Sequence, residues 1–200
     1  MANNLFYGFF TYTLPHAELA QPNDSILKGT KKCIFFREEK SLGEVTEGSR
    51  YNAVEHTHAE FAGMITRLDS YVGEVLRKLK EKGLDDNTIV IFSSDNGPHE
   101  EGGADPEFFG RDGKLRGLKR QCHEGGIRIP FIVRWLGRVS AGMVNDHQLA
   151  FYDVMPTFCE LMGDKAFPKK YINKKIKNDC FDGISFASTL LGDDGKQQKS

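Results

Sequence analysis

The 200-residue sequence has almost no net charge, no long apolar run and no cysteine-pair motif. Its 27 Lys and Arg residues are balanced by 28 Asp and Glu residues, so no overall field attracts nucleic acid or an anionic membrane. No apolar stretch approaches the roughly 18 residues of a membrane-spanning helix. The apolar N-terminus lacks a basic leading segment, so we expect a strand there and not a signal peptide.

The four cysteines, Cys33, Cys122, Cys159 and Cys180, show neither CxxC pairing nor zinc-type spacing. We therefore expect free thiols or small core residues, and the cysteines do not identify a compartment. An apolar fraction of 39% is typical of a globular chain with a real core, and this length suffices for one domain.

The first half of the chain predicts one strand, one irregular segment and one helix. Residues 5–14 are aromatic and β-branched and precede Pro15, which favours a buried strand. Residues 17–52 have no clear period, so we expect an irregular segment. Apolar residues at helical spacing over 61–79 predict an amphipathic helix, and Gly83 should end it.

The second half predicts an α/β arrangement. Residues 88–92 form a continuous apolar run typical of a buried, parallel-type strand, and a second buried strand is expected over 129–135. A further helix is expected over 146–161, with Pro156 either in its first turns or at a break. A polar loop follows the first of these strands, at the edge where α/β sheets bind ligands.

That loop carries Asp95, Asn96, Gly97 and His99. An Asp-Asn-Gly sequence is a common turn, since Asp and Asn tolerate left-handed backbone and Gly suits a tight loop. After a buried strand, the same two side chains present oxygens that suit Ca²⁺ or Mg²⁺, although two ligands are too few for either. Both interpretations remain open on these residues alone.

A basic segment follows, with Lys119 among Arg116, Arg120 and Arg128. Charge density alone favours a solvated basic loop. The alternative is a site where one ammonium faces an oxyanion while the flanking arginines make structural ion pairs. Gly125 and Gly126 permit close backbone approach. His16, on a loop after the first predicted strand, is a candidate general acid or anion contact.

These segments together resemble the sulfatase family, the formylglycine-dependent sulfuric ester hydrolases of the alkaline phosphatase-like superfamily. The matching segments occur in the family's order and cover most of the chain from about residue 5 to 191. They are Thr13–Leu19, Phe61–Asp69, Asp85–His99, Glu101–Phe109, Leu115–Lys119, Glu124–Pro130 and Asp182–Phe186. The resemblance implies part of an alkaline phosphatase-like mixed sheet flanked by helices.

The resemblance also implies roles at matching positions. Asp95 and Asn96 correspond to two ligands of a divalent cation, usually calcium and less often magnesium. Lys119 corresponds to a lysine that contacts the sulfate and the leaving oxygen, and His16 to a second sulfate contact or proton donor. His99 is expected to line the substrate entrance. A cation and a lysine would neutralise sulfate charge while a histidine protonates the departing oxygen.

The sequence departs from the family at the nucleophile. The family uses a Cys or Ser in C/S-x-P/A-x-R, oxidised to formylglycine, and no such motif occurs here. Cys33 has Arg37 four residues later, but Phe35 replaces the Pro or Ala and the segment follows His16 instead of preceding it. We interpret this as coincidence. The amino-terminal Asp pair of the metal site is also absent, so we expect the isolated chain to be inactive.

By this resemblance, residues 1–191 correspond to the middle-to-late part of a sulfatase catalytic domain. Residues 192–200 form a polar tail where a C-terminal subdomain would begin. The expected ligand is a sulfated small molecule or glycan. Alternatives are a phosphate or phosphonate ester hydrolase of the same superfamily and a non-catalytic module that binds sulfated glycans. Family members are often periplasmic, secreted or lysosomal.

Overall fold

The computed structural model describes residues 5–34, 54–103, 105–111, 113–163 and 183–193, and the helices and strands below lie within these ranges. Cys180 and Asp182, and the tail from residue 194, lie outside them. Short 3₁₀ turns occupy Asp85–Asn87, Glu101–Gly103 and Phe151–Asp153. In chain order the helices and strands are α1 (Ser25–Ile34), α2 (Thr57–Glu81), β1 (Val90–Ser93), α3 (Glu124–Ile127), β2 (Phe131–Arg134), α4 (Val154–Leu161) and α5 (Ala187–Leu190).

The longest element is α2, which confirms the helix predicted from the apolar spacing and extends it at both ends. Its first two turns are buried, whereas further along Ile65 is already 43% exposed. Lys78 and Lys80 lie in its last turn, where positive charge favours the helix dipole. Gly83 follows with a φ of 66°, a conformation suited to glycine at a helix end.

Helix α1 lies within a segment that the sequence predicted to be irregular, so that prediction was wrong for residues 25–34. The side chain of Asp24 caps the helix, because its Oδ1 accepts hydrogen bonds from the backbone N–H groups of Ile26 and Leu27 at 3.0 and 3.2 Å. The other oxygen of Asp24 pairs with Arg67 of α2 at 2.8 Å. That ion pair holds α1 against α2.

The buried core beside α2 consists of Leu19, Phe61 and Met64, with Leu14 and Val54 packed against it. The strand predicted over residues 5–14 is wrong: those residues form no strand, and Leu5 and Tyr7 are 88% and 77% exposed. A strand is stable only when a neighbouring strand accepts its hydrogen bonds, and no described strand lies beside this segment.

Strands β1 and β2 confirm the positions of the two predicted strands and form a two-stranded sheet. They run in opposite directions, because Ser93 at the end of β1 donates its hydroxyl to the carbonyl oxygen of Pro130 just before β2, at 2.8 Å. The parallel type expected for β1 is therefore wrong for this pair. The residues of β1 are half-buried rather than fully buried.

The chain divides into two compact units. Unit 1 comprises Met1–Gly83 and Phe92–Ile132, and unit 2 comprises Leu84–Ile91 and Val133–Ser200. Among the described residues, no helix is both long and apolar enough to cross a membrane. Cys33 and Cys122 are exposed, Cys159 is buried, and none of these three described cysteines forms a disulfide, which confirms the prediction for them.

Unit 2 is organised around the buried carboxylate of Asp153. Its two oxygens accept hydrogen bonds from the backbone N–H groups of Ala150 and Ile184, both at 2.7 Å. Helix α4 begins only at Val154, so the predicted start at residue 146 was wrong, whereas Pro156 does lie in the first turn. A proline there removes no helical hydrogen bond, because the first-turn N–H groups have no intrahelical acceptor.

Candidate active site

The loop after β1 carries the carboxylate and the carboxamide predicted as cation ligands. Asp95 is exposed and Asn96 is half-buried. The amide nitrogen of Asn96 donates to the carbonyl oxygen of Gly97 at 3.0 Å, so the amide oxygen is the atom left to face a ligand. No described residue forms an ion pair with Asp95. The turn and the oxygen pair therefore coexist in this loop.

Glycine backbone lets this loop lie directly on the segment that follows. Gly97 donates its N–H to the carbonyl oxygen of Gly126 at 3.0 Å, and Gly125 donates to that of Arg116 at 2.8 Å. A Cβ added at Gly97 would lie 1.9 Å from the carbonyl oxygen of Gly125. A side chain at Gly125 would meet the oxygen of Gly117 at 2.1 Å. The site floor is thus built from glycine backbone.

Lys119 is fixed to the same loop by its backbone. Its N–H donates to the carbonyl oxygen of Pro98 at 2.8 Å, and the residue is half-buried. The arginines around it pair with acids: Arg120 with Glu101, and Arg128 with Glu124 at 3.9 Å. The arginine ion pairs of the second interpretation are therefore present for Arg120 and Arg128, and the role of Lys119 stays a prediction. In the described part of unit 1, no acidic side chain forms an ion pair with Lys119.

His16 lies on a well-anchored loop beside this site. Its neighbours Ala17 and Leu19 are fully buried, and the carbonyl oxygen of Ala17 packs so closely on Gly102 that an added Cβ there would lie 2.2 Å away. The imidazole of His16 is exposed, and its centroid lies 6.2 Å from that of His99. The structure therefore brings His16 together with the loop after β1.

His99 is more deeply buried than a residue lining an entrance, with 7% of its surface exposed. Burial is the main reason that its pKa is lowered from 6.5 to about 4, and the positive charges of Arg111 and Lys119 lower it further. Glu101 acts in the opposite direction. His99 is therefore a neutral imidazole at pH 7.

One consequence is a pH-dependent stability of unit 1. The unfolded chain binds a proton at His99 near pH 6.5 and the folded chain only near pH 4. Folding stability is therefore complete above pH 6.5 and falls between these values, by up to about 3 kcal/mol. Urea unfolding of the wild type and His99→Gln at pH 7 and 4.5 measures this term. The same loss of stability in both proteins would contradict it.

The sequence motifs missed two groups that surround His99. Arg111 donates from Nη2 to the carbonyl oxygen of His99 at 3.1 Å, and Glu101 pairs with Arg120. No spacing rule signals Arg111, because its contact is with a backbone atom twelve residues away. Part of the Glu101–Phe109 segment lies against α2, where the ring centroids of Phe108 and His58 stack at 3.8 Å.

The donors of the loop fit part of a site for a hard cation. Carboxylate and amide oxygens are the ligands that calcium and magnesium prefer, but two of them do not complete either coordination shell. Within the described ranges, no group of three or more His, Cys, Asp or Glu side chains is arranged to hold a metal ion. Asp95 and Asn96 can therefore supply only some of the ligands.

Comparison with known proteins places these features in one family. The family model described as Sulfatase matches residues 7–164. Steryl-sulfatase from Mus musculus is 38% identical over 130 residues, which cover 62% of this chain and 21% of that protein. The N-acetylgalactosamine-6-O-sulfatase from Bacteroides thetaiotaomicron is 34% identical over 152 residues, covering 68% of this chain and 28% of that protein.

A solved structure gives the same result for the fold. The PsFucS1 sulfatase from Pseudoalteromonas sp. superposes with a TM-score of 0.56 at 31% identity, covering 78% of this chain and 30% of that one. This likeness confirms the predicted fold class. The chain spans about a fifth to slightly more than a quarter of the curated relatives named above.

Proposed function

Because the chain belongs to the sulfatase family, we propose that it supplies the sulfate-binding half of a sulfate ester hydrolase site. The observation that carries the proposal is the convergence of Lys119, His99 and His16 on the loop that bears Asp95 and Asn96. These side chains come from separate segments of unit 1. Together they provide a cation, two imidazoles and two oxygen ligands for an anionic ester.

Each side chain has a distinct task in this proposal. Lys119 neutralises charge on the sulfate oxygens and stays beside them because its backbone is tied to Pro98. His16 is exposed and able to deliver a proton to the departing alkoxide or phenoxide. Asp95 and Asn96 would supply some of the ligands of a calcium ion, with magnesium less favoured. Such an ion supplies further neutralisation of sulfate charge when bound.

The nucleophile is not among these 200 residues. The formylglycine motif of the family has no match, and Cys33 lies at the exposed end of α1. We therefore propose that hydrolysis needs a formylglycine-bearing segment in addition to this chain. Incubating the purified chain with 4-nitrophenyl sulfate and calcium should release no nitrophenol above background. Robust turnover that survives Cys33→Ala would show that the chain has a nucleophile of its own.

The substrate class that we propose is a sulfated small molecule or glycan. Relatives named for a steroid sulfate and for a sulfated amino sugar both match this chain, so the family likeness does not choose between them. A phosphate or phosphonate ester is the second candidate, because a metal and a lysine serve either anion. Comparing the binding of a sulfate monoester with that of the matching phosphate monoester decides between these anions.

A non-catalytic module that binds sulfated glycans would use the same side chains. Binding of a sulfated oligosaccharide that weakens in both Lys119→Ala and His16→Ala would support use of this site. Binding unchanged in both variants would place the glycan elsewhere and count against a sulfate site built on these residues.

A further inference from the structure

His99 is a buried side chain with unused hydrogen-bonding capacity. It is 7% exposed, yet neither Nδ1 nor Nε2 has a hydrogen-bond partner among the described residues. Buried polar atoms are nearly always paired, and leaving one unpaired costs free energy. Two ring nitrogens without hydrogen-bond partners, near Lys119 and His16, therefore indicate that a ligand group binds there.

The guanidinium of Arg111 holds the backbone of His99. Its Nη2 donates to the carbonyl oxygen of His99 at 3.1 Å, and its Cζ lies 4.1 Å from the centroid of the Phe61 ring. The first contact fixes the end of the loop that begins with Asp95. The second fixes the guanidinium to α2 through a cation–π contact.

Arg111 is itself held by a backbone hydrogen bond and lies beside a cluster of packed aromatic rings. Its backbone N–H donates to the carbonyl oxygen of Pro106 at 2.9 Å. The Phe109 ring lies 5.8 Å from that of Phe61 and 4.7 Å from that of Phe108. Aromatic rings at these separations pack favourably, so the arginine has a fixed base from which to hold the loop.

We propose that Arg111 is a positioning residue that fixes the buried imidazole of His99 as a hydrogen-bonding group for a hydroxyl of the sulfated ligand. This inference rests on the proposed function, since it assumes that the sulfate group lies beside Lys119. It adds a residue outside the motif positions and selects, within sulfated ligands, those that carry a hydroxyl close to the ester.

The charges around His99 decide which group it recognises. Burial disfavours a proton on the ring most, the positive charges of Arg111, Lys119 and His16 add to this effect, and Glu101 opposes it, so the lowered pKa leaves the imidazole neutral. A neutral imidazole has one N–H donor and one acceptor nitrogen. A hydroxyl group also donates once and accepts, so a sugar hydroxyl matches either nitrogen, whereas an unsubstituted aryl ring matches neither.

The ligand-free protein offers the first test. NMR titration of the His99 ring should give a midpoint near 4 in the wild type. Arg111→Gln should move it upward, because one of the positive charges that lower the pKa is removed while burial, the larger cause, remains. Arg77→Gln is the matched control, because it removes an exposed guanidinium from α2 in the same unit. An unchanged midpoint in Arg111→Gln would overturn the proposal. A wild-type midpoint near 6.5 would also overturn the proposal, and that measurement does not depend on whether a variant folds.

Ligand titrations test the hydroxyl. With calcium present, galactose 6-sulfate should shift the His99 ring signals more than 4-nitrophenyl sulfate does, because only the sugar carries a hydroxyl close to the ester. Arg111→Gln should weaken galactose 6-sulfate binding about tenfold, the equivalent of one hydrogen bond, and leave 4-nitrophenyl sulfate unaffected. Arg111→Lys, which keeps the charge without the planar fork, should restore it only in part.

Two results separate this inference from the function on which it rests. Equal weakening of both ligands in Arg111→Gln would show a general structural role and overturn the hydroxyl assignment. Failure of both ligands to bind the wild type would overturn the hydroxyl assignment and the proposed function together. The titration midpoints of His99 in the ligand-free wild type and Arg111→Gln would still decide whether Arg111 influences the His99 ring.

Discussion

Gly97→Ala is expected to destabilise unit 1 by about 3 kcal/mol or more, because the new methyl group has no place to go. Its Cβ would lie 1.9 Å from the carbonyl oxygen of Gly125, and a backbone atom cannot rotate aside. The hydrogen bond from Gly97 to Gly126 would break as the loop moved. Urea unfolding followed by circular dichroism reports unit 1, since α1 and α2 both lie there.

Gly73→Ala is the matched control for that substitution. Gly73 lies in the middle of α2, and nothing lies within 4 Å of the Cβ that would be added. Alanine has the higher helix propensity, so this variant should gain about 1 kcal/mol. The sole tryptophan, Trp135, lies in unit 2 and its fluorescence serves as an internal reference. Equal stability of the two alanine variants would contradict the close backbone contact.

Lys119→Ala is expected to weaken binding of a sulfate monoester by roughly ten- to a hundredfold. A hydrogen bond to a charged group contributes about 1.5–3 kcal/mol, and the half-buried ammonium is tied beside the loop through Pro98. Isothermal titration with 4-nitrophenyl sulfate in the presence of calcium measures the change. Stability should be unaffected, because the contact with Pro98 uses the backbone N–H, which alanine retains.

Two variants separate the role of Lys119 from its charge alone. Arg116→Ala removes an exposed cation from the same segment and should change binding little, since screened surface charges interact weakly. Lys119→Arg keeps the charge and should retain part of the binding. Equal losses in Lys119→Ala and Arg116→Ala would mean that the segment attracts anions only through its overall charge.

The sequence predicted α2 well because its apolar residues recur at helical spacing, a pattern that is independent of distant contacts. It failed for α1, whose ten residues include three lysines and little apolar repeat. The sequence does contain one feature that indicates α1: Asp24, which precedes the helix and caps it. Polar helices are recognised by their caps sooner than by their periodicity.

The strand prediction over residues 5–14 was wrong for the opposite reason. Aromatic and β-branched composition predicts a segment that suits a sheet, but pairing requires a neighbouring strand, and no described strand supplies one. Composition alone therefore overstated its burial. Several of its side chains, such as Phe9 at 77%, remain largely exposed.

The linear motifs located the loop with Asp95 and Asn96 and the segment with Lys119, because both are contiguous in sequence. They did not show that His99 is buried, nor that the charges of Arg111 and Lys119 lie close enough to lower the pKa of its ring. They also gave no sign of the contact between Arg111 and the backbone of His99. Such contacts follow from the folded path of the chain.

The most direct test of the sulfate half-site is a backbone and side-chain NMR titration of the wild-type chain with 4-nitrophenyl sulfate and calcium. The two ligands together should perturb the signals of Asp95, Asn96, Lys119 and His16 with one shared dissociation constant, and Lys119→Ala should raise that constant roughly ten- to a hundredfold. Perturbations confined to other residues, or an unchanged dissociation constant in Lys119→Ala, would contradict a single sulfate and cation site built from these side chains.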